Sequence, residues 1–194
     1  MSPFFGLLWM NNGGLERPDY IACTKTWLST VIIELGLCPF AKREFEAGRI
    51  HYDVIETGDL QAQLEHIIME CAALDRDAAR ETSLLIFPNG LSDFHDYLDL
   101  LALANSLIAK QGYEGIYQLA SFHPEYLFAG VAADDPSHYT NRSPYPTVHI
   151  LRESSVENAL STYSEPEKIP ERNIKLTRNL GLAAMRALLT DCYR

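Results

Sequence analysis

Apolar residues recur at helical spacing through Trp27, Val31 and Leu35 in YIACTKTWLSTVIIELGL, and Gly36 stands where a helix ends in the left-handed conformation. In the following CPFAKREFEAG, Pro39 suits a first helical position, which predicts Cys38 as the N-cap and Gly48 as the stop. RIHYDVIE alternates Ile50, Tyr52 and Val54 with His51 and Asp53, the pattern of a half-exposed strand. Asp59 then caps a helix whose buried stripe is Leu60, Leu64, Ile67, Ile68 and Cys71. SLLIF is an unbroken apolar run, as expected of a central strand covered on both faces. PNGLSD turns into a helix with stripe Phe94, Leu98, Leu101, Asn105 and Ile108, closed by Gly112. GIYQLASF and TVHIL read as two further strands, Ser154 and Glu157 have capping-box spacing, and residues 170–189 read as a last helix.

Two consecutive strand–helix–strand units imply an α/β layered domain with a mixed, mostly parallel sheet of about four strands flanked by helices. The fourth strand follows the third without an obvious crossover helix and is expected to run antiparallel. Residues 19–194 read as one domain with no repeat or linker, and residues 1–18 as a loosely held extension.

Composition narrows the function classes. With 194 residues, 47% of them hydrophobic, the chain can bury a core of its own. A formal net charge of -10 disfavours nucleic acid or an anionic membrane surface as partner, but leaves room for a local basic site that holds a small anion. The four cysteines have neither CxxC nor zinc-finger spacing, so a reducing cytoplasm is the expected compartment. The first apolar run is too short to span a bilayer and lacks a basic leader, which argues against a signal peptide.

The candidate chemistry sits in residues 123–146. Open parallel sheets bind ligands at the carboxyl ends of their strands. That edge would gather Asn89 after the second strand, His123 after the third, and Asp134, Asp135, Asn141, Arg142 and Tyr145 from the segment leading into the fourth. Cys38, if it caps its helix, would face the same edge and gain thiolate character from the helix N-terminus with Lys42 and Arg43 a turn on. Cys38 and His123 are then candidates for thiol or acid–base chemistry with Asp135 orienting the histidine, while Asn141 and Arg142 offer a carboxylate or phosphate site. Asn89, Tyr145 and Arg152 are candidate substrate contacts. Each residue also has a plainer reading. Cys38 would be a buried corner thiol, His123 would bond a loop carbonyl, His149 would be a satisfied sheet histidine, and Arg142 would pair internally with Asp134 or Asp135.

LGLCPFAK, ETSLLIFP, LSDFHDYLDL, EGIYQLASFHPEYLFAG, DDPSHYTNRSPYPTVHILRE and IPERN together resemble a bacterial family known as a domain of unknown function (family fourteen-fifteen). The likeness covers roughly residues 20–182 and implies a stand-alone domain, without implying a reaction, a cofactor or a substrate.

Three readings of function follow. The first is a small enzyme acting on an anionic metabolite through Cys38, His123 and the Arg142 site. A second is a metal-dependent enzyme using His123 with Asp134, Asp135 or Cys38, although no HxH or HExxH spacing supports a metal. The third is a binding or assembly protein that uses the Pro- and Tyr-rich segment as a surface. Cofactor and oligomeric state stay unassigned.

Overall fold

The computed structural model describes residues 18–194. The extension proposed for the N-terminus lies, up to residue 17, outside the described residues. The described chain forms α1 (Tyr20–Trp27), α2 (Ala41–Glu46), β1 (Ile50–Val54), α3 (Leu60–Arg76), β2 (Thr82–Ile86), α4 (Phe94–Lys110), β3 (Tyr117–Phe122), β4 (Thr147–Arg152), α5 (Glu153–Ser161), α6 (Ile169–Leu180) and α7 (Leu182–Asp191). The four strands make one mixed sheet in the order β1-β2-β4-β3, so the chain has the α/β architecture its periodicities imply. β1 and β2 pair in parallel, and β4 is antiparallel to both neighbours. β4 thus lies between β2 and β3 and keeps two like-directed strands apart.

Strand alternation sorts side chains onto two cores. Leu85, Val148, Ile150 and Tyr117 pack with Ile67, Cys71 and Leu74 of α3 and with Tyr97, Leu100 and Ala104 of α4. Leu84 points the other way, into a cluster with Trp27, Val31, Ile32, Tyr139 and Met185. β2 is buried at every position, which is why its sequence shows no alternation.

Several boundaries differ from the sequence pattern, each for a local reason. α1 widens into a π-helix over Leu28–Ile33, where Glu34 N–H donates to Ser29 O at 3.0 Å. The Ser29 and Thr30 hydroxyls both donate to Thr26 O at this point, competing with the ordinary ladder. The next helix begins at Ala41, not at Pro39, and its cap position is Phe40. α5 begins at Glu153 with Arg152 at the cap and no side-chain cap bond, so Ser154 and Glu157 do not form a capping box. The last helix is two helices, broken at Gly181, whose φ of 82° is open only to glycine at modest cost.

The sheet's carboxyl edge is organised by one hydroxyl. Thr147 stands opposite both Ile86 and Phe122 in the registers, so the long β3–β4 connection leaves and re-enters the sheet at this edge. Fully buried Tyr97, from α4, donates to Thr147 O at 2.8 Å and accepts from Phe122 N–H at 3.1 Å. Tyr97→Phe would leave both backbone groups short of a partner in a buried site. It is expected to destabilise the fold by about 1–3 kcal/mol, read as a lower urea midpoint at unchanged slope.

Candidate functional site

The segment from 123 to 146 is built around backbone groups that need partners, and most of its polar side chains supply them. His123 is fully buried; its Nδ1 accepts from Glu125 N–H at 3.0 Å and its Nε2–H donates to Leu91 O at 2.9 Å. With both nitrogens used in this sense the ring is neutral, and burial pushes its pKa down. His138 repeats the device, accepting from Phe128 N–H at 3.1 Å and donating to Ala132 O at 2.8 Å. Each histidine closes a turn by joining two stretches of loop backbone.

Asn141 works the same way. Its Nδ2 donates to Ser121 O at 3.0 Å, its Oδ1 accepts from Thr140 Oγ1 at 3.1 Å, and its carbonyl accepts from His123 N–H at 3.1 Å. The structure therefore does bring His123 together with Asn141 and Arg142 at the carboxyl edge, as the topology predicts. The Asn141 amide is a strut there, with one of its two N–H groups and its oxygen committed to the loop. Ser143 is likewise turned inward, donating to Tyr145 O at 2.6 Å.

Asp135 has partners other than the expected histidine. It caps a 3₁₀ turn over Pro136–Thr140 by accepting from Ser137 N–H at 2.8 Å, and it meets Arg178 of α6 with Nη2–Oδ2 at 2.8 Å. The Arg178 guanidinium, seconded by Ser137, holds its carboxyl well below the usual carboxylate range. Arg178 was not foreseen. Its one sequence signal is that no acid lies three or four positions away on its own helix, so it must seek a partner elsewhere. Asp134 stays exposed.

Four further candidates fall away from this cluster. Cys38 is not an N-cap; it lies in the Gly36-to-Phe40 corner, half-buried against the second core. That corner is pinned from α6, where Asn173 Nδ2 donates to Leu37 O at 2.7 Å and Arg172 reaches Gly36 O and the Tyr163 hydroxyl. His123 packs instead against Phe94 and Tyr97 of α4, with ring centroids at 5.2 and 5.1 Å, so thiol and imidazole belong to different cores. Arg152 lies at the opposite end of the sheet, its Nη2 donating to Leu74 O and Arg80 O and its Nη1 to the Tyr117 hydroxyl. Tyr145 is an edge-on packing ring between Tyr20 and Tyr193, at 4.9 and 5.7 Å. Asn89 is at the expected edge, where its Nδ2 donates to Glu56 O at 2.8 Å, tying the loop after β2 to the loop after β1. Beside it Gly90 is obligatory, since a Cβ there would stand 2.9 Å from Gly58 Cα.

Arg142 is the exception. Its carbonyl accepts from the Trp27 indole at 2.9 Å, its Nε donates to Tyr126 O at 3.2 Å, and its guanidinium lies 4.7 Å from the Tyr139 ring centroid. Neither Asp134 nor Asp135 pairs with it, and among the described residues no carboxylate does. Its two Nη groups carry no hydrogen bond within the described residues and are not buried. The side chain is fixed at its root and along its face, with its fork open.

Among the described residues no three His, Cys, Asp or Glu side chains form a set fit for a metal ion, and His123 has no ring nitrogen to spare. No helix of the described residues is long and apolar enough to cross a membrane.

His149 is the sheet histidine its strand position implies. Its Nε2 lies 2.7 Å from Thr82 Oγ1, whose own proton goes to Ile150 O at 2.5 Å, and burial pushes its pKa down to about 4. A histidine that refuses protons when folded and accepts them near pH 6.5 when unfolded stabilises the fold above that pH. The stability is lost as pH falls from there toward the folded value. His149 alone is expected to cost about 1–2 kcal/mol between pH 7 and pH 5. Denaturant titrations at the two pH values should show that loss, and His149→Gln should shrink it.

No curated protein and no solved structure shows significant similarity to the chain. One family model, described as "Protein of unknown function (DUF1415)", matches residues 19–187. The SFHP turn, the TNRSPYP segment and the ERN triplet that build this edge and its braces all lie inside the match. The chain belongs to the DUF1415 family.

Proposed function

We propose that this domain recognises a small molecule bearing a carboxylate or phosphate group, and that Arg142 is the anchoring residue. One observation carries the reading: a guanidinium held by Tyr126 O and the Tyr139 ring, with both terminal nitrogens unclaimed. A guanidinium fork matches a carboxylate or phosphate in geometry, and among the described residues no carboxylate lies within 4 Å of this one. Its position agrees with the rule that open α/β sheets take ligands beyond the carboxyl ends of their strands. The chain's net charge of -10 selects for a compact anion over a polyanion such as nucleic acid.

The same geometry favours recognition over catalysis. His123 and Ser143 have their polar atoms committed to the loop, Asp135 is held by Ser137 N–H and by Arg178 of α6, Asn141 braces Ser121 O, and the Cys38 thiol packs in the other core. These residues hold Arg142 still, which lowers the ordering cost of binding.

Thermal-shift titration with inorganic phosphate, di- and tricarboxylates and mononucleotides tests the proposal. At least one anion is expected to raise the melting temperature in a saturable way. Arg142→Gln should abolish the rise, and Arg142→Lys should weaken binding about tenfold or more by keeping the charge and losing the fork. No response to any anion, or an equal response in Arg142→Gln, would overturn it.

A further inference from the structure

β1 forms one outer edge of the sheet, and its register decides which of its backbone groups look outward. Ile55 N–H donates to Ile86 O at 2.8 Å, and Val54 stands opposite Ile86. In a parallel ladder this makes His51, Asp53 and Ile55 the residues that bond β2. Ile50, Tyr52 and Val54 must then point their N–H and C=O groups away from the sheet. Val54 confirms the parity, because its N–H turns to Asp53 Oδ1 at 2.9 Å. Nothing among the described residues takes the outward groups of Ile50 or Tyr52. On β3, the other edge, two outward groups are covered: the Tyr117 N–H goes to Tyr113 O and Ser121 O accepts from Asn141 Nδ2. Beside Val54 runs an open groove of about 360 Å³ lined by Pro18, Asp19, Tyr20, Ile21, Val54 and Glu56.

We propose that two copies of this chain associate through β1, pairing antiparallel about a two-fold axis at Tyr52. The strand IHYDV is self-complementary in that register. Tyr52 meets the partner's Tyr52, Ile50 meets the partner's Val54, and His51 meets the partner's Asp53. The outward parity places Tyr52, Ile50 and Val54 at hydrogen-bonded positions and His51 and Asp53 at the non-bonded ones, where side chains approach most closely. Tyr52 exchanges both its bonds with its own copy, and Ile50 N–H reaches the partner's Val54 carbonyl, none of which displaces an existing bond. Release of Val54 N–H by Asp53 adds the remaining pair. A slip by one residue would face inward backbone groups across the seam, and a slip by two would set Asp53 against its own copy or His51 against its own, so the register about Tyr52 is the one that pairs unlike side chains. On its own chain His51 Nε2 lies 4.0 Å from Glu70 Oε2, a carboxylate already held by Arg80 and Ser83. The partner's Asp53 would approach His51 from the open side.

Sedimentation equilibrium from about 5 to about 200 µM is expected to move the weight-average mass from 21.9 kDa toward twice that value, as befits a small interface of modest affinity. Over the same range, amide exchange at Ile50 and Tyr52 should slow while that at His51 and Asp53, already bonded to β2, stays constant. Asp53→Lys replaces two cross-strand attractions and should weaken association about tenfold. The double variant His51→Glu with Asp53→Lys should recover it. A chain that stays monomeric at the highest concentration would overturn the proposal. So would a dimer whose constant ignores Asp53→Lys, or a Tyr52 amide whose exchange is independent of concentration.

Discussion

A loop that covers a sheet edge must find partners for the backbone groups it buries, and most of this structure's polar side chains answer that demand. An unmet buried N–H or C=O costs as much as a lost hydrogen bond, and the connection between β3 and β4 carries a dense row of such groups. His123, His138 and Tyr97 each join two backbone groups at this edge, and the Asn141 amide and the Trp27 indole each meet one more. Histidine suits this task because its neutral ring donates at one nitrogen and accepts at the other. The price of that arrangement is that neither nitrogen is left for acid–base work.

The function proposed for Arg142 follows from this accounting. A side chain whose polar atoms are all committed explains itself structurally, and one with an open charged fork does not. Arg178 and Arg142 illustrate the contrast within one small region. Arg178 closes on Asp135 and bonds α6 to the loop, whereas Arg142 is steadied by a carbonyl and an aromatic face and keeps its charge unmatched. The brace and the proposed binding group use the same residue type, and only the partner distinguishes them.

The element pattern was readable because burial imposes periodicity: β1, the β2 run, α3 with its Asp59 cap and α4 stand where the sequence places them. The stripes were only partly right, since Leu60, Leu98 and Asn105 are exposed and α4 buries Tyr97, Leu100 and Ala104 beside Leu101 and Ile108. Misreadings arose where two local signals competed. Pro39 permits a helix start but does not compel one, and the chain instead follows the corner held by Asn173 and Arg172. Gly181 interrupts a stripe that otherwise continues, and its positive φ turns one expected helix into α6 and α7. Local spacing carries no record of which distant carbonyl will claim a side chain.

By itself, the sequence determined the α/β class, the antiparallel return of the last strand and the crowding of polar residues at one sheet edge. Those features depend on periodicity and on connection length, both of which are local. The tertiary structure alone decided that β4 would enter between β2 and β3, that Asp135 would choose Arg178 over Arg142, and that Cys38 and His123 would join different cores. Partner choice is a competition among groups brought together only after the sheet has formed, and its outcome depends on distances in space that no spacing along the chain encodes.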